Sequence, residues 1–136
     1  MSGARAGRRW SATRHRSPER WVTAAGLGAL AIFQLGLAAG APWGRASYGG
    51  GHPGVLPYRL RRISAGAVPL YAGLAVTVAS PRTPVRLRRH LLTGVAGLMG
   101  IATVMNAVSP SLPERAIWTP TAAVVGLSAW RARRDG

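Results

Sequence analysis

Apolar and polar positions alternate along this chain in long blocks, not with the short period of an amphipathic helix or strand. Four apolar runs stand out: Val22 to Ala41, Ile63 to Ala79, Leu91 to Val108 and Ala116 to Trp130. The first, VTAAGLGALAIFQLGLAAGA, has Gln34 as its only strongly polar residue. Crossing about 30 Å of hydrocarbon takes about 20 helical residues. The first run is long enough. The second and third suffice if their flanking arginines extend their heads to the interface. The fourth is short, with Trp118 and Trp130 placed to mark its two ends and Pro120 suited to its first turn. The pattern predicts an all-α fold, a four-helix transmembrane bundle with spans at 22–41, 63–79, 91–108 and 116–130. A soluble bundle is the alternative. It would need a polar face every three or four residues, and these runs offer none.

The segments between the runs carry the charge. All 18 basic residues are arginine, against Glu19, Glu114 and Asp135, for a net charge of +15. The missing lysine points to codon bias in a GC-rich genome. Charged residues make up 15% of the chain, below the roughly 25% of soluble domains. So basic a chain raises nucleic-acid binding, but the arginines fall in short clusters between apolar runs and form no single stripe. No cysteine is present, which excludes disulfides, thiolate metal sites and thiol nucleophiles.

Arginine placement predicts orientation. Arg5, Arg8, Arg9, Arg14, Arg16 and Arg20 precede the first run, Arg82, Arg86, Arg88 and Arg89 separate the second from the third, and Arg131, Arg133 and Arg134 end the chain. The opposite side has Arg45, Arg59, Arg61, Arg62 and Arg115. The excess puts both termini in the cytoplasm, although the Arg59, Arg61 and Arg62 cluster pulls the other way. Residues 1–20 read as a basic, disordered cytoplasmic segment resting on anionic lipid, 21–131 as the membrane domain and 132–136 as a cytoplasmic tail. A secretory leader is the alternative for the first run; its apolar length to Ala41 favours a retained anchor. Gly36 and Gly40, Gly66 and Gly73, and the Gly94, Gly97, Gly100 series suit close helix packing, within one chain, in a homo-oligomer or against another membrane protein.

This topology brings the polar residues to one side. Gln34, Asn106 and Ser109 approach the outer end, where Glu114, Arg115 and Thr119 open the fourth helix. Arg59, Arg61 and Arg62 open the second, and the loop between contributes Trp43 and His52. Glu114 is the only acid there. Its structural reading is a cap and salt bridge at a helix N-terminus, where negative charge is favoured. Its functional reading is a polar pocket for a lipid headgroup or anion, with Arg59, Arg61 and Arg62 as phosphate donors. A catalytic carboxylate would need a titratable partner, and only His52 is near in sequence. No metal or cofactor is indicated: GGGHPG offers one histidine, with His15 and His90 on the other side, and it lacks the lysine of a phosphate loop. Trp43, Tyr48 and Tyr58 are expected to anchor a compact interfacial loop.

Two segments, GAPWGRASYGGGHPGVLPYRLRRISA (Gly40 to Ala65) and MNAVSPSLPERAIWTPTA (Met105 to Ala122), resemble an uncharacterised family of small bacterial four-helix integral membrane proteins. The matching elements are Gly40, Pro42 and Gly44; Gly50, Gly51 and His52; Leu56, Pro57, Leu60 and Arg61; then Asn106, Ser109, Glu114, Arg115, Thr119 and Pro120. Pro110 to Leu112 departs from the family's more basic stretch, so no basic contact carries over to that loop. The resemblance implies a fold and a shared outer site, not a reaction. A structural or binding role is expected, with a lipid-headgroup- or anion-binding subunit of a transporter or envelope assembly as the alternative. A membrane-embedded enzyme is a third class.

Overall fold

A computed structural model describes residues 17–135, which form helices and turns with no strand among them. The helices are α1 (Pro18–Ala39), α2 (Tyr58–Ala79), α3 (Val85–Ala107) and α4 (Thr119–Ala132); a five-residue π turn, Glu114–Trp118, leads directly into α4. The expected disordered segment falls mostly outside the described residues, but Pro18, Glu19 and Arg20 of it are helical.

The first three helices each start earlier than the apolar run that predicts them, whereas α4 starts at Thr119, later than the predicted Ala116. Ser17 caps α1 by accepting the Arg20 amide at 3.3 Å, Pro18 fills a first-turn position, and Glu19 complements the helix dipole. α2 and α3 likewise take in the arginines of their first turns. Hydropathy marks where apolar side chains begin, whereas the backbone ladder continues through residues whose charged heads reach past the apolar zone. The first helix also stops short of the predicted Ala41. Gly40 turns left-handed (φ 99°), and the Gly40 and Ala41 amides bond back to Leu37 and Gly36 at 3.2 and 2.8 Å. This is a Schellman closure. At the other end of the bundle, Arg88 closes α2 by donating to the carbonyls of Ser80 and Thr83 at 2.6 and 3.1 Å, a cation at a helix C-terminus.

The π turn has a local cause. Pro120 has no amide to donate and its ring crowds the carbonyl four residues back. The strain is relieved one residue upstream, where the Thr119 amide bonds the Glu114 carbonyl five residues back. Pro120 stands in the first turn of α4, as its sequence position suggests, and the π turn runs into that turn without a break.

α1 packs against α2 and α3 against α4, and α1 against α4 joins the two pairs; α2 and α3 barely meet. The dense core unites Leu27, Val78, Leu92, Val95, Met99, Val125 and Ala129. Most of these lie early in α1 and α3 and late in α2 and α4, so the core fills the half nearer the described chain ends. Small residues help there: a methyl on Gly26 would strike Val125 and one on Gly126 would press on Met99. Gly66, Gly73, Gly94, Gly97 and Gly100 do not join in this packing, since a methyl on any of them meets nothing within 4 Å.

The exterior is apolar. Ile32 is 70% exposed and Leu35, Leu70, Val76, Ile101, Val104, Val124 and Leu127 are all exposed. In water this surface would be an aggregation hazard; against lipid tails it is the expected face. Hydroxyls on it are satisfied internally, with Thr93 and Thr121 donating to carbonyls four residues back at 2.9 and 2.6 Å. α1, α2 and α3 are each long and apolar enough to cross a membrane. The chain is a helical protein built for a membrane.

Candidate functional site

The loop from Ala41 to Pro57 folds against the turn between α3 and α4. Two short 3-10 turns, Gly44–Ala46 and Tyr48–Gly50, shape it. The Gly44 amide bonds the Gly54 carbonyl at 2.9 Å, and a side chain at Gly44 would collide with the His52 carbonyl. Tyr48 is the one residue other than glycine described with positive φ (48°), a conformation that costs on the order of 1 kcal/mol. Its hydroxyl lies 2.9 Å from the Ser64 hydroxyl at the start of α2.

Glu114 fastens the loop. It is 7% exposed. One carboxylate oxygen accepts the Gly49 amide at 3.1 Å, and the other accepts the Ser109 hydroxyl in a short hydrogen bond. Ser111 knits the same corner: its hydroxyl donates to the Arg45 carbonyl and accepts the Glu114 amide, while its own amide donates to Ser109 Oγ at 3.1 Å. Trp118 Nε1 adds a 2.8 Å bond to the Ala46 carbonyl. Glu114 thus ties the last helix to the first loop, but through a backbone amide and a serine. The arginine salt bridge expected from sequence is not among its contacts: Arg115 instead donates to the Ser109 carbonyl at 3.0 Å.

Beneath this lid lies a chamber of about 180 Å³. Leu30, Phe33 and Gln34 of α1, Tyr48 of the loop, Tyr71 of α2, Met99, Ala102 and Asn106 of α3, and Glu114, Trp118 and Ala122 line it. Phe33 packs between Trp43, nearly parallel at 5.7 Å, and Trp118, tilted at 4.4 Å. The Gln34 Oε1 atom is buried without a hydrogen-bond partner among the described residues, as is the Thr119 hydroxyl. Buried polar atoms are nearly always satisfied, so these two enclosed atoms are unmet polar demands beside the chamber, whose wall Gln34 also helps to form.

Of the residues picked out in the sequence, Gln34, Asn106 and Glu114 line the chamber. Ser109 stands behind Glu114, with Arg115 bonded to its carbonyl. Trp43 covers Gly36 and stacks on Phe33 outside the chamber wall. Arg61 reaches sideways, its Nε donating to the Ala38 carbonyl at 3.1 Å to brace the end of α1. Arg59 and Arg62 are exposed, Arg62 lying 5.8 Å from the Tyr58 ring. His52 is exposed on the loop. None of these arginines, nor His52, lines the chamber. Phe33, Tyr71 and Ser111 are absent from the sequence-based site, and Tyr48 and Trp118 figure there only as a loop anchor and an interface marker. Ser111 lies in the Pro110–Leu112 stretch that departs from the resembled family, and Tyr71 reads as one more apolar residue in its run. Among the described residues no three His, Asp or Glu side chains gather where they could share a metal. Comparisons with protein-family models, with curated proteins and with solved structures found no match to the chain.

Proposed function

We propose that this chain is a small multi-pass protein of a bacterial plasma membrane with a binding role rather than a catalytic one, and that the chamber under the 41–57 loop is its binding site. The observation that carries the reading is Glu114, a buried carboxylate on the wall of that chamber. Ionisable groups at membrane depth are costly and are kept where they serve transport or binding. His52, the acid–base partner that the sequence offered, is exposed and off the wall, where the titratable groups beside Glu114 are Tyr48 and Tyr71. The resemblance of the two loop segments to small four-helix membrane proteins agrees with a shared site at this end.

In this reading α4 is the fourth span. The five-residue π turn and the 14-residue α4 run on without a break, which gives a length of about 28 Å, close to the hydrocarbon thickness. Trp118 and Trp130 stand near its two ends. The arginine excess puts both termini in the cytoplasm and the lid on the outer face, with anionic lipid against the cytoplasmic flanks. The bracing of Arg61 within the fold weakens the objection raised by its cluster, since that side chain has a structural task.

The thiol-free background makes topology testable. His52→Cys and Arg82→Cys both lie at exposed positions. The first should react with an impermeant maleimide on intact cells and the second only after lysis. Labelling of Arg82→Cys alone would invert the topology. Native mass spectrometry of the purified protein should show a retained small molecule or lipid of one headgroup class, and a bare chain would favour a purely structural role.

A further inference from the structure

Resting on the reading of the chamber as a binding site, its chemistry specifies the ligand further. Among the described residues the only formal charge on its wall is the carboxylate of Glu114. Arg45, Arg59, Arg61, Arg62 and Arg115 do not line it, so none of the described arginines at this end stands on the wall to receive an anion. A carboxylate offers about four acceptor positions, of which Gly49 and Ser109 take two. Gln34 Oε1 is enclosed and has no protein donor, and a turn of the Gln34 side chain, which lines the chamber, would present it to a ligand there. Phe33, Tyr48, Tyr71 and Trp118 complete the wall with aromatic rings, whose faces attract a cation. We propose that the chamber binds an N–H-bearing ammonium group, with Glu114 as counter-ion, Gln34 as hydrogen-bond acceptor and the aromatic rings as its lateral wall.

The volume admits this. A cavity of about 150 Å³ elsewhere accepts a benzene ring, so about 180 Å³ holds a compact alkylammonium. The same group could come from a free amine or from an aminophospholipid headgroup. For the lipid route the scarcely packed seam between α2 and α3 borders the chamber through Tyr71 and Ala102. A quaternary ammonium has charge but no N–H to satisfy Gln34, and it is predicted to bind more weakly.

The test uses the full chain in lipid nanodiscs. Ethanolamine, choline and inorganic phosphate are titrated by calorimetry in phosphatidylcholine discs, and native mass spectrometry reads retention from discs mixing phosphatidylethanolamine with phosphatidylglycerol. Ethanolamine should bind saturably, choline about tenfold more weakly, and phosphate not at all. Selective retention of phosphatidylethanolamine with no binding of free ethanolamine would assign the group to a lipid; binding of the free amine without lipid retention would assign it to a solute. Glu114→Gln should weaken binding about tenfold or more. Gln34→Leu should weaken it about fivefold without lowering the melting temperature, because it removes an acceptor that holds nothing in the fold. That second variant keeps the test valid if Glu114→Gln folds poorly. Choline bound as tightly as ethanolamine, or Gln34→Leu without effect on affinity, would overturn the proposal. Binding of phosphate or phosphatidylglycerol instead of either amine form would overturn it and leave the binding site standing, and retention of no ligand at all would remove both.

Discussion

Replacing Glu114 tests what holds the lid to the bundle. Its carboxylate accepts the Gly49 amide and the Ser109 hydroxyl in a corner where Ser109, Ser111 and Glu114 are all buried. A hydrogen bond to a charged acceptor contributes about 1.5–3 kcal/mol, and stranding a buried donor adds its desolvation cost. Glu114→Ala removes both acceptors at once. Ser109 recovers part of the loss by rotating its hydroxyl, but the Gly49 amide is fixed in a strained turn and cannot. The expected cost is about 3–5 kcal/mol. Glu114→Gln keeps one acceptor oxygen of nearly the same shape, so it should cost only about 1–2 kcal/mol. Reversible unfolding in mixed micelles with rising SDS, followed by tryptophan fluorescence, measures both. Trypsin gives a local readout, since cleavage after Arg45 should rise sharply for Ala and modestly for Gln. Equal losses for the two variants would refute the reasoning, because they would show that negative charge and not hydrogen-bond acceptance holds the corner.

Three further outcomes follow from other contacts. Gly50→Ala should cost about 2–3 kcal/mol in the same unfolding assay, since Gly50 has φ 72° and an added methyl would meet Ser111 Cβ at 2.7 Å. Trp118→Phe keeps the ring against Phe33 but loses the bond to the Ala46 carbonyl, and should cost about 1 kcal/mol and loosen the loop to proteolysis. Leu27→Ala and Leu35→Ala form a pair on one helix, the first 0% and the second 55% exposed. Truncating Leu27 should cost about 2 kcal/mol through the cavity it leaves, and truncating Leu35 close to nothing, because lipid replaces the lost contact; equal costs would mean that the apolar exterior is not facing lipid.

Much of this architecture is written in one dimension. Helices appear where runs such as VTAAGLGALAIFQLGLAAGA leave no polar face, since a lipid-exposed backbone must bond to itself. The meeting of two loops at one end was also legible, because an even number of antiparallel helices brings Ala41–Pro57 and the turn before Glu114 to the same side. Helix boundaries were less so. The Schellman closure at Gly40, the Ser17 cap and the π turn before Pro120 depend on backbone hydrogen bonds that hydropathy does not register.

The site divides along the same line. Glu114 could be singled out because it is the lone acid in the loops at its end of the bundle, a matter of residue identity. Which partners it would take could not be, since five arginines stand at that end and charge alone favours any of them. Only the folded loop decided the choice, when the turn at Tyr48 and Gly49 aimed a backbone amide at the carboxylate and Arg61 was drawn to the end of α1. The chamber is tertiary in the same sense. Gln34, Tyr71 and Trp118 are far apart in sequence, each ordinary in its own helix, and they share a cavity only because α2 and α3 stay apart while the loop spans the gap above them. Sequence determines which residues are too polar for lipid, a property of each side chain by itself; packing determines which of them face one another, a property of the whole chain.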